Sequence, residues 1–225
     1  MIPWLDPHLP PHFPDTKEAL AEPNGLLAAG GQLDPQWLQA AYRRGIFPWF
    51  NENEPIMWWT PAPRTVLFPE EFTVNRSFRK FLNRCDYKIT VNQRFSDVMQ
   101  ACAEPRTGQA GSWITPAMIK AYRQLHEDGH AVSYECMDSN NILVGGLYGV
   151  AFGKMFFGES MFSRADYASR CCLKHLVEHS GYRLIDCQMN TEHLAKLGAR
   201  DIDRKEFETL LTRYTESNNS KSSYL

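Results

Sequence analysis

The chain has 225 residues, of which 43% are hydrophobic, 22% charged and 12% aromatic, and its formal net charge is −2. These proportions are typical of an ordinary globular protein with one large domain, or with one domain and a smaller companion, and they exclude a disordered protein. The nearly neutral balance excludes a globally basic nucleic-acid binder but is compatible with a local basic patch.

Targeting and membrane signals are absent from the sequence. Residues 1–15 are interrupted by prolines and have no basic start, and no later apolar run approaches the roughly 18 residues of a membrane span. The six cysteines form no CxxC pair, which favours reduced and mostly buried thiols. We therefore expect a cytoplasmic protein with no membrane partner, no metal and no cofactor.

The first part of the chain predicts a small N-terminal domain, residues 1–62. Its helix begins at the cap Asp34 and ends at Gly45. Short apolar segments at 46–50 and 56–59 follow, and the prolines at 61–63 mark the domain boundary. Trp49 lies in a proline-interrupted loop, where a tryptophan belongs either to a small core or to a surface that stacks on a nucleobase.

A basic helix is predicted over residues 74–85. Arg76, Lys80 and Arg84 recur at spacings of four, Arg79 lies beside them, and residues 73–85 contain no acid. Same-sign neighbours at this spacing cost some stability, so the stripe favours contact with a polyanion. The alternative is an ordinary solvated helix face.

The middle of the chain predicts a strand at 87–92, a helix at 95–103 and a loop that ends at Trp113. A further helix from Thr115 to Gly129 and a strand at 131–137 follow.

A glycine-rich hairpin with arms at 142–151 and 154–162 comes next. Alternation along its second arm puts Met155, Phe157, Glu159 and Met161 on one face, which is apolar except for a single carboxylate. Glycine inside a strand allows a close approach by backbone or ligand. This segment is either a ligand-lined sheet or a tightly packed core hairpin.

The last part predicts a helix at 165–179, a strand at 183–187, and helices at 191–197 and 204–214. Alternation places Leu184, Asp186 and Gln188 on one strand face. An acid there is either structural or catalytic. The order of elements over residues 63–215 looks like the core of the acetyltransferase-type (GNAT) fold. We therefore expect an α+β protein with a GNAT-like catalytic domain and a disordered tail at 216–225.

Four strings in this order carry a family resemblance: GIFPWF at 45–50, WWTPAPR at 58–64, FFGESMFSR at 156–164 and LIDCQ at 184–188. From about Trp4 to about Leu211, the chain resembles the bacterial leucyl/phenylalanyl-tRNA–protein transferase family. The resemblance implies transfer of leucine or phenylalanine from aminoacyl-tRNA to the N-terminal α-amine of proteins that begin with Arg or Lys, which marks them for N-end rule degradation. It also implies that the basic stripe contacts the tRNA acceptor arm, and it favours nucleobase contact for Trp49.

The resemblance implies that Asp186 and Gln188 act together on the attacking amine. A carboxylate of pKa ~4 is a poor acceptor for a proton from an ammonium of pKa ~8. We therefore expect Asp186 to fix and polarise Gln188, whose carbonyl oxygen accepts a hydrogen bond from the attacking nitrogen. We predict that Glu159 binds the acceptor peptide. The remaining residues predicted to bind substrate are Tyr148, Met155, Phe157 and Met161 for the donor group, Trp49 and Trp113 for the terminal adenosine, and Ser160 without an assigned substrate.

Two other functions stay open, namely acyl-CoA-dependent N-acyl transfer on the same fold and RNA binding without catalysis. Residues 163–171, SRADYASRC, contain no glycine where a coenzyme pyrophosphate would need close approach to the backbone. This argues against acyl-CoA. We expect a monomer.

Overall fold

The computed structural model describes residues 2–105 and 113–216, so most of the predicted loop before Trp113 and all but one residue of the predicted tail lie outside the described residues. The described strands are β1 (Trp4–Leu5), β2 (Leu26–Gly30), β3 (Phe47–Pro48), β4 (Met57–Trp59), β5 (Arg64–Leu67), β6 (Lys88–Val91), β7 (Ala131–Met137), β8 (Leu143–Phe152), β9 (Met155–Ser163), β10 (Leu184–Gln188) and β11 (Arg200–Ile202). The described helices are α1 (Pro35–Tyr42), α2 (Arg76–Leu82), α3 (Phe95–Ala103), α4 (Pro116–Glu127), α5 (Ala168–His179), α6 (Glu192–Ala195) and α7 (Arg204–Thr215).

These elements form a mixed α/β fold with two sheets. The N-terminal sheet has the strand order β1-β2-β4-β3, and the larger sheet has the order β11-β5-β10-β9-β8-β7-β6. β10 pairs in parallel with β9 and antiparallel with β5. The two central parallel strands are joined through α5, as expected for a crossover connection.

The predicted helix ends that rest on capping residues are confirmed. The Asp34 side chain accepts a hydrogen bond from the backbone N–H of Trp37 at the start of α1, and Thr115 caps α4 in the same way. After these helices, Gly45 and Gly129 have φ values of 69° and 80°, which glycine adopts without a steric penalty.

The extent of the basic helix was predicted wrongly. α2 begins at Arg76, after the cap Asn75, and ends at Leu82, so Arg84 lies beyond it. Within the helix only Phe78 is fully buried. The apolar contacts of this one short face support a helix of about two turns, which is shorter than the predicted helix over residues 74–85.

Two hydrophobic clusters cover the two faces of the larger sheet. One contains Tyr148 and Phe157 and continues into α1, α3, α4, α7 and the N-terminal sheet. The other contains Leu147 and Phe156 and packs against α2 and α5. The sheet is thus buried on both sides, as mixed sheets with helices on each face are.

A β-bulge in β9 overturns the predicted single face. Tyr148 pairs with Ser160, and Gly149 pairs with Gly158, which leaves Glu159 as the extra residue. The bulge reverses the alternation, so Met161 packs on the opposite face from Phe157.

The pairing of β9 with β10 stops where the bulge begins. Their partners run only from Leu184 opposite Met155 to Asp186 opposite Phe157, although both strands continue. A second irregularity interrupts the β10–β5 pairing between Asp186 and Gln188. The unpaired ends of β9 and β10 leave an opening in the middle of the sheet. Among the residues described, no helix is long and apolar enough to span a bilayer.

Candidate active site

A cavity of about 600 Å³ lies at the opening between β9 and β10. This volume is within the usual range for small-molecule sites. The lining includes seven residues predicted from the sequence to have roles in catalysis or substrate binding: Trp113, Tyr148, Glu159, Ser160, Met161, Asp186 and Gln188. The irregularities in β9 and β10 bring the side chains of Glu159 and Gln188 together, because a β-bulge changes the direction in which a side chain points.

Glu159 is the centre of the polar wall. Its Oε1 accepts a hydrogen bond of 2.6 Å from the Tyr42 hydroxyl, and its Oε2 accepts one of 3.2 Å from the Tyr122 hydroxyl. The two hydroxyl oxygens are 2.5 Å apart. Both tyrosines are buried, at 1% and 0% exposure. Sequence reasoning did not select either tyrosine.

The carboxyl group of Glu159 is unusually basic. Its pKa is raised from 4.5 to about 7, because burial and the nearby Asp186 charge raise it more than the hydrogen bonds from Tyr42, Tyr122 and Gln188 lower it. The same burial, together with the Glu159 charge, raises the pKa of both tyrosine hydroxyls well above 10. The tyrosines therefore serve as neutral hydrogen-bond donors near pH 7.

Gln188 lies beside Glu159 with its side-chain amide held in place. Its Nε2 donates to Glu159 Oε1 at 3.0 Å and to the Gly158 carbonyl oxygen at 3.3 Å. Its backbone has φ of 65°, in the left-handed region that non-glycine residues adopt at a cost of about 1–2 kcal/mol. This arrangement leaves the Gln188 side-chain carbonyl oxygen available to a ligand in the cavity.

Asp186 acts on Gln188 through the backbone and not through the side chain. Asp186 Oδ1 accepts a hydrogen bond of 2.9 Å from the Gln188 backbone N–H, whereas the Gln188 amide donates to Glu159. Asp186 thus contacts Gln188 through the backbone N–H, while the bulge turns the Gln188 side chain toward β9.

Arg64 holds the Asp186 carboxylate on the side away from the cavity. Its Nε and Nη2 donate to the two carboxylate oxygens at 2.8 and 2.6 Å. The guanidinium lies 5.0 Å from the Phe47 ring centroid and 4.6 Å from that of Phe207. Its buried Nη1 has no hydrogen-bond partner within residues 2–105 and 113–216. Arg64 was not predicted from the sequence. Its place at the start of an apolar strand was the available signal, because an arginine that is buried there needs a partner of opposite charge.

The opposite wall of the cavity is apolar. Its side chains come from the sheet face that α5 covers, on β8, β9, β10, α5 and α6. They are Leu147, Phe156, Met161, Leu173, Ile185 and Leu194. A polar wall and an apolar wall thus face one another across one cavity.

Two of the residues predicted to form the recess for the donor side chain do not line this cavity. Met155 and Phe157 are fully buried in the core and absent from the lining, because they precede the bulge and point to the other sheet face. Tyr148 does line the cavity, and its buried hydroxyl has no hydrogen-bond partner among the described residues. Trp49 is 40% exposed, packs against Trp59 at 5.4 Å and does not line the cavity.

The basic residues Arg76, Arg79, Lys80 and Arg84 are all exposed. Rings connect their helix to the cavity mouth: Phe78 stacks on Tyr167 at 5.2 Å, and the Arg170 guanidinium lies 5.3 Å from the Tyr167 ring. Arg170 Nη2 is 3.2 Å from Nδ1 of His193, which lines the cavity. Ring contacts and the Arg170 guanidinium therefore connect α2 to the cavity lining.

The start of α5 is closed to a ligand that needs its backbone amides. The Ala168 N–H donates to the Ala165 carbonyl oxygen, and the Ser169 N–H donates to Ser163 Oγ. A Cβ atom at Gly145 would collide with Ala168, so this turn lies directly against β8. Across residues 2–105 and 113–216, no cluster of three or more metal-ligating side chains occurs.

Two family models match the chain. The model described as leucyl/phenylalanyl-tRNA protein transferase matches residues 66–212, and the model of the N-terminal domain of the same family matches residues 31–62. A leucyl/phenylalanyl-tRNA–protein transferase of Chromobacterium violaceum is 55% identical over 92% of this chain and 89% of its own length. One of Cellvibrio japonicus is 53% identical over 96% of this chain and 92% of its own length.

Solved structures resemble the fold only distantly. A conserved protein of unknown function from Bacteroides thetaiotaomicron has a TM-score of 0.42 and 14% identity, with 60% of this chain and 54% of that chain covered. L-PGS from Bacillus licheniformis has a TM-score of 0.43 and 11% identity, with 69% and 65% covered. At these TM-scores, neither structure indicates a function for this chain.

Proposed function

Because the chain belongs to the leucyl/phenylalanyl-tRNA protein transferase family and is an aminoacyltransferase, we propose that it transfers leucine or phenylalanine from aminoacyl-tRNA to the N-terminal α-amine of acceptor proteins. The acceptors begin with Arg or Lys, and the added residue marks them for N-end rule degradation. The reaction takes place in the cytoplasm, where charged tRNAs are made.

One observation supports this proposal above the others: an apolar wall and a hydrogen-bonding wall meet in the cavity between β9 and β10. The two substrates need different surroundings, since the donor side chain is apolar and the acceptor is a cationic amine. A site that holds both in contact supplies the orientation on which transfer from an already activated ester mainly depends.

The apolar wall receives the donor side chain. Met161 and Leu173 bound a recess that an unbranched or aromatic side chain fills. Methionine adapts to both shapes, since its side chain is unbranched and flexible. A side chain branched at Cβ is excluded by steric overlap, which discriminates more strongly than the ~1–3 kcal/mol of one missing methylene.

The polar wall receives the acceptor amine. Glu159 attracts the ammonium, and the Gln188 carbonyl oxygen accepts a hydrogen bond from the nitrogen as it attacks the ester carbon. The new C–N bond forms as the bond from the ester carbon to the ribose oxygen breaks. The ammonium loses one proton before the attack, and a second proton moves from the nitrogen to the ribose oxygen, which leaves as a hydroxyl. Asp186, held by Arg64, positions Gln188 for this step through the backbone hydrogen bond.

The tRNA acceptor arm approaches along the basic side chains of α2. Phosphates contact Arg76, Arg79, Lys80 and Arg84, and the single-stranded end passes Arg170 to enter the cavity. Phosphate contacts position the donor without reading its sequence. The terminal adenosine contacts Trp113 at the cavity and the exposed Trp49, which lies outside the lining, since tryptophan stacks on bases.

We also propose that the larger sheet is GNAT-like and that residues 1–62 and 63–215 are separate domains. The two neighbouring parallel strands that stop pairing next to the cavity support the first proposal. The separate four-stranded sheet supports the second, although one hydrophobic cluster extends across both parts.

Acyl-CoA is a poorer fit to the same cavity. The first amides of α5 are engaged by Ala165 and Ser163, so a pyrophosphate has to compete with hydrogen bonds that already exist. This observation favours aminoacyl-tRNA as the donor.

Mass spectrometry of an arginine-starting peptide after incubation with leucyl-tRNA tests the proposal. We expect the peptide to gain one leucine residue at its N-terminus. Valyl-tRNA as donor and a glycine-starting peptide as acceptor are the matched controls and should leave the peptide mostly unmodified. An unmodified arginine-starting peptide would contradict the proposal and favour RNA binding without catalysis.

A further inference from the structure

Three oxygen-bearing groups at the polar wall form a closed triangle. Tyr42 contacts Glu159 at 2.6 Å, Tyr122 contacts Glu159 at 3.2 Å, and the two tyrosine oxygens are 2.5 Å apart. Every side of this triangle is within hydrogen-bond distance. We call these three residues the proton triangle.

The hydrogen count of the proton triangle shows that it has a place for one more hydrogen when Glu159 is ionised. The two tyrosines supply one hydroxyl hydrogen each, but three contacts need three hydrogens. With Glu159 ionised, both hydroxyls donate to it and no hydrogen lies between the tyrosine oxygens. With Glu159 protonated, its hydrogen closes the ring: Glu159 donates to one tyrosine, that tyrosine to the other, and the second back to Glu159. A bound proton therefore completes the pattern.

The proton triangle lies next to the amine site. Glu159 Oε1 is 3.0 Å from Gln188 Nε2, and Glu159 is partly exposed to the cavity while the tyrosines behind it are buried. The groups that face Glu159 from the surrounding elements are Tyr42 of α1, Tyr122 of α4, Tyr148 of β8, Asp186 and Gln188 of β10, and the nearby Cys102 of α3. Asp186 is already paired with Arg64 and accepts from Gln188, so its oxygens are engaged.

Resting on the proposed transfer reaction, we infer that the proton triangle is the proton acceptor of that reaction. An N-terminal amine arrives as an ammonium and has no lone pair to attack with. One N–H proton passes to Glu159 Oε, which leaves a neutral amine. The nitrogen lone pair then forms the C–N bond, the ester C–O bond breaks, and a second proton moves from nitrogen to the ribose oxygen. Glu159 returns its proton to solvent, so one proton is released per transfer.

The basicity of Glu159 fits this role. A carboxyl group with a pKa of about 7 accepts a proton from an ammonium of pKa ~8 at a tenfold disadvantage. An ordinary glutamate of pKa ~4.3 does so at a disadvantage of several thousandfold. A catalytic base is most effective when its pKa lies close to the working pH.

Direct titration tests the inference independently of activity. The Glu159 carboxyl carbon is identified by ¹³C NMR as the signal lost in Glu159→Gln. We expect its midpoint at about pH 7, and we expect Tyr42→Phe or Tyr122→Phe to raise it by roughly one unit. Each variant removes a hydroxyl that bonds more strongly to the ionised carboxylate than to the neutral acid. Tyr134→Phe, which removes a hydroxyl from a tyrosine in the other hydrophobic cluster, is the matched control and should leave the midpoint unchanged.

Single-turnover transfer at saturating substrates supplies the second measurement. The rate should rise with pH at the Glu159 midpoint, and the rise should move upward in Tyr42→Phe but not in Tyr134→Phe. A Glu159 midpoint near 4.5, or the same pH dependence in wild type and Tyr42→Phe, would overturn the inference while leaving the transfer reaction intact. No transfer by the wild type despite a midpoint near 7 would contradict the proposed function itself.

Discussion

Arg64 and Asp186 form a bidentate ion pair that is closed off from solvent, with exposures of 1% and 0%. The pair joins β5 to β10 and lies between Phe47 of the N-terminal sheet and Phe207 of α7. Four elements, β3, β5, β10 and α7, therefore meet at this pair. Asp186 lines the cavity and accepts a hydrogen bond from the Gln188 backbone N–H, whereas Arg64, which holds Asp186, lies outside the lining.

Removing one charge of the Arg64–Asp186 pair should destabilise the fold more than removing both charges. Arg64→Gln leaves a buried carboxylate without its partner, which typically costs about 3–5 kcal/mol. The double variant Arg64→Gln/Asp186→Asn has no unpaired charge, so we expect it to recover part of that loss in urea unfolding. Arg200→Gln, which breaks the exposed pair with Glu71, should cost at most about 1 kcal/mol. A double variant no more stable than Arg64→Gln would contradict this account.

Replacing Gln188 with glycine should separate its chemical role from its structural one. Glycine adopts φ of 65° without a steric penalty. We therefore expect the free energy of unfolding of Gln188→Gly to be about 1 kcal/mol higher than that of Gln188→Ala. Both variants lose the side-chain carbonyl oxygen that we propose accepts a hydrogen bond from the attacking nitrogen. Single-turnover rates at saturating substrates should therefore fall in both. Near-normal rates in either variant would show that the side chain does not take part in the reaction.

Local signals in the sequence predicted most of the fold. Helix ends that depend on a neighbouring cap, such as Asp34 for α1 and Thr115 for α4, were placed correctly because the capping interaction spans only three residues. The strand LIDCQ and the hairpin turn at Gly153 were also placed correctly. These features depend on adjacent residues alone.

Features of the site that depend on distant partners could not be predicted. The bulge at Glu159 arises from the register between β8 and β9, and strict alternation therefore put Met161 on the wrong face. Tyr42 and Tyr122 look like members of apolar helix stripes, because nothing nearby indicates that their hydroxyls meet Glu159 from two separate helices. Long-range pairing sets both features.

The stability of the protein should depend on pH through Glu159. Its pKa is raised from 4.5 to about 7, so between these values the folded state binds more protons than the unfolded state. Stability from this group is therefore full below about pH 4.5 and falls as the pH rises to 7. At about 1.4 kcal/mol per unit, the wild type should lose about 3 kcal/mol relative to Glu159→Gln between pH 4.5 and 8. Urea unfolding of both proteins measures this difference, and a constant difference would contradict the raised pKa.

The basic side chains of α2 should contribute to tRNA binding through phosphate contacts. Neutralising Arg76, Lys80 and Arg84 to glutamine should lower the slope of log K against log salt by about 2. The matched control neutralises Lys154, Arg183 and Arg213, an exposed cationic group at the opposite end of β9 and β10. Filter binding of tRNA across a salt series gives both slopes. Equal slopes in the two triple variants would make the α2 stripe an ordinary solvated face.

We propose that the cavity between β9 and β10 holds the aminoacyl-adenosine end of the donor. Thermal unfolding with puromycin tests this proposal most directly. Puromycin carries an aromatic aminoacyl group on an adenosine-like nucleoside, so binding should raise the Tm of the wild type. The increase should shrink in Trp49→Ala and Trp113→Ala, and acetyl-CoA should produce none. Saturable stabilisation by acetyl-CoA together with no response to puromycin would contradict the claim and assign the cavity to acyl-CoA.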